Sequence, residues 1–131
     1  MKFRYANAWI ETAVILFNIA LDEENSLRRE ILLRRAISTL YYGTFWEVRS
    51  FLELKGTKIK PFKAHQTLRK SLEAKGYKEV AEKLGYLHKI RKNADYDVKP
   101  SEKLGYLDWE GAFEKAFHLT IFILREVKRN G

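Results

Sequence analysis

The chain has 131 residues, with 25 Lys and Arg against 17 Asp and Glu, a formal charge of +8, and no cysteine. A 46% apolar content suits one globular domain over residues 1–131 and excludes an obligatorily disordered chain, while the length excludes two full domains. Without cysteine there is no disulfide scaffold, thiolate nucleophile or Cys-ligated zinc, and the positive balance points toward anionic partners.

The apolar spacing reads as helix throughout. Residues 5–22 place Ala6, Trp9, Ile10, Ala13, Phe17, Ala20 and Leu21 at three- and four-residue intervals. Asn25 or Ser26 then caps a long helix over 26–55, with a stripe running from Leu27 and Ile31 through Leu40, Tyr41 and Phe45 to Leu52. Gly56 ends it, and a basic loop follows around Pro61. A short helix over 64–75 stops at Gly76, another covers 77–96, and Pro100 separates it from a last helix over 108–128. No segment alternates like a strand. The expected fold is all-α, an up-and-down four-helix bundle with an extra short helix. No apolar run reaches the ~20 residues of a membrane span. The opening residues show no signal-peptide pattern, so a cytoplasmic protein with no membrane partner is expected.

The helix over 77–96 changes character along one face. Val80, Ala81, Leu84 and Leu87 set its core-facing side. At about 100° per residue, His88, Arg91 and Asp95 continue within about 40° of the direction of Leu84. A charge facing a core is costly unless paired, and Arg91 and Asp95 stand i,i+4. Two readings follow. The cluster is an internal ion pair that fixes the bundle's register, or the helix end opens into a groove or interface that meets a ligand.

Three segments together carry a resemblance. The long helix contains Leu40-Tyr41-Tyr42-Gly43-Thr44-Phe45, the short helix begins Ala64-His65-Gln66, and Arg91-Lys92-Asn93-Ala94-Asp95-Tyr96 closes the helix over 77–96. Over residues 5–128 the chain resembles a HEPN domain, of the small stand-alone prokaryotic branch with an Arg-x-x-Ala-Asp-Tyr motif. The resemblance implies a homodimer in which the Arg motif sits between protomers. It implies a metal-independent endoribonuclease without cofactor, or a degenerate member that binds RNA or a partner protein. It also implies pairing with a minimal nucleotidyltransferase, as the toxin-like half of a toxin–antitoxin pair, and Tyr96 is then the analogous acceptor for modification. Arg91 matches the family's Arg and Asn93 its polar residue, but Tyr96 stands where the catalytic His is expected. A tyrosine near pKa 10 is poorly suited to move protons at pH 7. His88, Asp95 and Asp97 are the remaining candidates for that role.

The positive charge is partly localised. From 54 to 72 there is no acid, while Lys55, Lys58, Lys60, Lys63, Arg69 and Lys70 occur there beside His65. With Lys92 on the motif helix, this stretch is a candidate phosphate-binding surface or a plain solvated face. On the long helix Arg28, Arg35, Tyr42 and Arg49 repeat every seven residues, and Thr39, Trp46 and Glu53 run alongside. Arginines and large aromatics off the core stripe suit an interface, with Arg35, Tyr42, Trp46 and Arg49 as its candidates, or burial under another helix of the bundle. His65, His88 and His118 have no second His or Cys at ligand spacing, so no metal site is expected.

Overall fold

The computed structural model describes residues 6–131, and their regular elements are all helical. In chain order these are α1 (Ala6–Asp22), α2 (Ser26–Leu54), α3 (Ala64–Ala74), α4 (Lys78–Tyr96) and α5 (Trp109–Asn130), with a 3-10 turn at Glu102–Leu104 before α5. The expected start of the first helix at residue 5 lies outside the described residues. The result is an all-α bundle built around α2, against which α1, α3, α4 and α5 all pack.

Local chemistry sets the element ends. The Asn25 side chain accepts from Arg28 N at 3.0 Å and caps α2. Asp108 does the same for α5, accepting from Gly111 N at 2.6 Å. Each such cap stabilises by about 1 kcal/mol. Gly56 and Gly76 follow α2 and α3 with φ near +88° and +89°, a left-handed turn that a Cβ would strain.

The core forms where α2 meets its neighbours. Leu33, Ile37, Leu40, Tyr41, Val48 and Leu52 are buried on α2, facing Leu68 and Leu72 of α3, Leu84, Leu87 and Ile90 of α4, and Phe113 and Ile123 of α5. Phe17 of α1 stacks on Phe113 at 4.3 Å between centroids. Gly43 explains how α1 reaches α2: a Cβ there would fall on Trp9 Cβ, so only glycine allows this approach. The expected stripes extend too far at the ends. Leu21, Leu27 and Ile31 are exposed, on sides of α1 and α2 that face away from the core, while Ala20 and Leu33 near them are buried.

Arg34 of α2 ties the two key helices together. Its guanidinium donates to the carbonyls of Ala94 and Asp97, the latter at 2.6 Å, at the end of α4. A cation on those unpaired carbonyls also favours the negative end of the helix dipole. This fixes the end of α4, and with it Arg91 and Asp95, against α2.

Candidate anion-binding site

The core-facing stripe of α4 turns polar one turn after Leu84, as the helical phase requires. Arg91 is buried, only 5% exposed, and its Nη1 donates to Asp95 Oδ2 at 3.2 Å. Its guanidinium lies over three tyrosine rings, at 5.2 Å from Tyr41, 5.4 Å from Tyr42 and 6.0 Å from Tyr96. Cation–π contacts of this kind offset part of the cost of a desolvated charge. Arg91 Nε is buried with no hydrogen-bond partner among the described residues. Asp95 also accepts from Ser38 Oγ at 3.4 Å.

Beside this pair, three elements converge. Tyr41 of α2 is fully buried and its phenol is hydrogen-bonded to Nδ1 of His65 at the start of α3. The His65 ring stacks on His88 of α4, with centroids 4.6 Å apart and planes 14° from parallel. Arg69, one turn along α3 from His65, donates from Nη1 to His88 Nδ1 at 3.1 Å. Two histidines with no spacing relation in the sequence therefore meet in space. The readable signal was phase: His65 lies within about 60° of Leu68 and Leu72, on the buried side of α3.

The electrostatics follow from this packing. Burial, then the neighbouring His65 and the cations Arg91, Arg69 and Lys92, push the His88 imidazole down to about 3. Burial, followed by Arg91, Arg69 and Lys92, lowers His65 as well. Burial raises the Tyr41 phenol well above its usual value, outweighing the pull of Arg91 and Arg69. At neutral pH both imidazoles are uncharged and the phenol keeps its proton.

Two concavities flank the cluster. One, of about 380 Å³, lies between α3 and α4 and is lined by Arg69, Gly85, His88, Lys89 and Lys92, with Glu73 and Glu82 also on its wall. The other, of about 630 Å³, lies between α2 and the end of α4, lined by Ile31, Arg34, Arg35, Ser38, Tyr42, Asp95 and Tyr96. Tyr96 is 75% exposed on its rim.

The other candidates lie elsewhere. Asn93 points away from Arg91: its amide donates to Asp97 Oδ2 at 2.8 Å and the Lys99 carbonyl at 3.1 Å, and accepts from Tyr106 at 2.6 Å. That amide ties the loop after α4 rather than joining the cluster. Lys58, Lys60 and Lys63 sit exposed on or just after the 57–63 loop, and Lys70 is exposed on α3. On α2, Arg35 is exposed and Tyr42 half-buried. Trp46 is left 38% exposed with Arg49 over its ring at 5.3 Å, and Arg49 also bonds Glu53 at 2.9 Å.

Among the described residues no group of three or more His, Cys, Asp or Glu is placed to hold a metal ion, and no described helix is long and apolar enough to cross a membrane. Comparisons with protein families, curated proteins and solved structures return no match for this chain.

Proposed function

We propose that this chain is a HEPN-type helical protein that binds RNA, and that the binding centre is the α3–α4 cavity of Arg69, His88, Lys89 and Lys92. The observation that carries this reading is the convergence of two histidines and Arg69 beside the motif helix, with Lys92 close enough to depress both imidazoles. The Lys-rich 57–63 loop leads into α3 and adds cations that attract a phosphate backbone. Binding is better supported than cleavage. Cutting RNA through its 2′-hydroxyl needs a group that exchanges protons near pH 7, and an imidazole pushed down to about 3 is a poor base.

One observation favours a second reading. Arg91 is closed by Asp95 inside a single chain, as a structural pair would be. In that reading the protein is a non-catalytic HEPN adaptor. The Tyr42–Asp95–Tyr96 groove then meets a second copy of the chain or a partner such as a minimal nucleotidyltransferase, with the exposed Tyr96 phenol within the partner's reach.

Electrophoretic mobility shift of a single-stranded oligoribonucleotide separates them, read alongside cleavage. Wild type is expected to bind with affinity that falls as salt rises, to bind at least fivefold more weakly as Arg69→Ala, and to leave the strand uncut. Binding insensitive to salt and to Arg69 overturns the RNA reading. Cleavage that disappears in Arg91→Ala and Tyr96→Phe restores a catalytic role to the motif.

A further inference from the structure

The hydrogen bonds around the stacked pair settle where the imidazole protons sit. Arginine has only N–H donors, so the Arg69 bond makes His88 Nδ1 an acceptor. The neutral ring then carries its proton on Nε2. On His65 the partner of Nδ1 is the Tyr41 phenol, fully buried and with no other partner among the described residues. Were the proton on Nδ1, the phenol's own hydrogen would be buried without an acceptor, which is disfavoured. Tyr41 therefore donates, and His65 also carries its proton on Nε2. Neither Nε2 is hydrogen-bonded among the described residues, and neither belongs to the buried polar atoms left without a partner, so both reach solvent.

The result is two Nε2–H donors that reach solvent, His88 on the cavity wall and His65 stacked on its ring. We propose that His65 and His88 present two neutral Nε2–H groups, flanked by Arg69 and Lys92, as the recognition site for a phosphate oxyanion, and that this phosphate is an internal phosphodiester of RNA. The assignment rests on the RNA-binding reading for its ligand but not for its donors. The oxygens of an ionised phosphodiester accept and never donate, which suits the two Nε2–H groups and the cations Arg69, Lys89 and Lys92, although Glu73 and Glu82 are acceptors on the same wall. The charge also fits. Arg69, Lys89 and Lys92 face Glu73 and Glu82 around the cavity, a net of one positive charge, which balances a singly charged phosphodiester rather than a terminal phosphate. Arg91 adds little because Asp95 neutralises it. The imidazoles here orient and bind; they do not carry protons to or from the strand.

Long-range proton–nitrogen NMR of the histidine side chains tests the donor state directly in wild type. At pH 7 both His65 and His88 are expected in the Nε2–H form, and an oligoribonucleotide without terminal phosphates is expected to shift both Nε2–H signals. Inorganic phosphate is the second probe, expected to bind at least tenfold more weakly. An Nδ1–H form or an imidazolium at pH 7 on either ring overturns the proposal, as does the absence of any shift with both probes. Shifts with phosphate but none with the oligonucleotide keep the oxyanion site and overturn the RNA assignment. His88→Gln and His88→Asn supply an independent measurement. Gln places an amide nitrogen where Nε2 stands, whereas Asn keeps an acceptor near Nδ1 for Arg69 and loses the outer donor. His88→Gln is expected to bind the oligonucleotide within threefold of wild type, and His88→Asn at least tenfold more weakly. Equal weakening in the two, with both variants folded by their thermal unfolding, overturns the donor role.

Discussion

The two concavities beside Arg91 differ in how their cations are held. Beside the α2–α4 groove the Arg91 guanidinium is ion-paired, covered by tyrosines and nearly sealed, and on the groove's wall Arg34 pairs with Glu30 while Arg35 is exposed. In the α3–α4 cavity Arg69 is partly exposed and bonded to a neutral imidazole, and Lys89 and Lys92 are exposed. A cation already neutralised by a carboxylate gives an incoming anion little, whereas one bonded to a neutral ring keeps its charge. Arg91, the motif residue that draws the eye in sequence, is thus held as an internal pair, and at the α3–α4 cavity the cations open to a ligand come from α3 and the outer face of α4.

The largest expected effect breaks the sealed region. Asp95→Ala leaves a buried guanidinium with a second unpaired edge, since Nε already has no partner. Stability measured by denaturant unfolding is expected to fall by about 3 kcal/mol. Combining it with Arg91→Met, which removes the charge and keeps an apolar stem, is expected to restore most of that loss. Arg69→Ala in the open cavity is expected to cost less than about 1 kcal/mol. Equal losses at the two positions would abolish the distinction between the regions.

Next comes Asn93, whose amide makes all three of its bonds to the loop after α4 and to Tyr106. Asn93→Ala leaves the Tyr106 phenol and the Lys99 carbonyl without that partner. A loss of about 2 kcal/mol in unfolding free energy is expected. RNA affinity should be unchanged apart from that. A specific loss of binding in a folded Asn93→Ala variant would move the ligand to the motif's far side.

Helical phase explains what could be read in advance. One helix at a time, a 100° step put Leu84, His88, Arg91 and Asp95 on one side, and α4 places them so. The same step puts Asn93 about 180° from Leu84, which was readable and is why the motif's Arg and Asn do not converge. The caps at Asn25, Gly56 and Gly76 are local chemistry and were equally legible. The His65–His88 stack was not. Phase tells which side of a helix is buried, but not which helix it meets, and these residues sit on α3 and α4 with a turn between them. The exposed Leu27 and Ile31 show the converse limit: apolar spacing offers more than one face, and on this stretch of α2 it is Leu33 and Ala36 that are buried while Ile31 lines the α2–α4 groove.

The pH dependence sharpens the open region. His88 and His65 bind protons less readily folded than unfolded, so below about 6.5 the unfolded chain holds more protons. Stability is therefore expected to be full near pH 7 and to fall as pH drops from about 6.5 toward His88's folded value of about 3. Thermal unfolding at pH 7 and pH 5 measures it, and His88→Gln should reduce the drop in Tm. Burial sets this behaviour first, followed for His88 by the neighbouring His65 and for both rings by the cations Arg91, Arg69 and Lys92. An undiminished drop in His88→Gln would assign the acid sensitivity to other groups.

The smallest effect on the fold belongs to the loop. Lys58, Lys60 and Lys63 are exposed, and none forms an ion pair among the described residues. Substituting all three by Gln is expected to change stability by no more than about 0.5 kcal/mol at each position. Their contribution to RNA binding is read from salt dependence instead. For a single strand, the slope of log affinity against log salt falls by roughly 0.7 for each phosphate contact removed. The triple variant should therefore flatten that slope while leaving the His65 and His88 signals responsive to the oligonucleotide. A flattened slope with intact histidine shifts makes the loop a backbone guide and the cavity the point of recognition. An unchanged slope confines phosphate contact to α3 and α4. Loss of both slope and histidine shifts in a folded triple variant would instead make the loop the entry point on which the cavity depends.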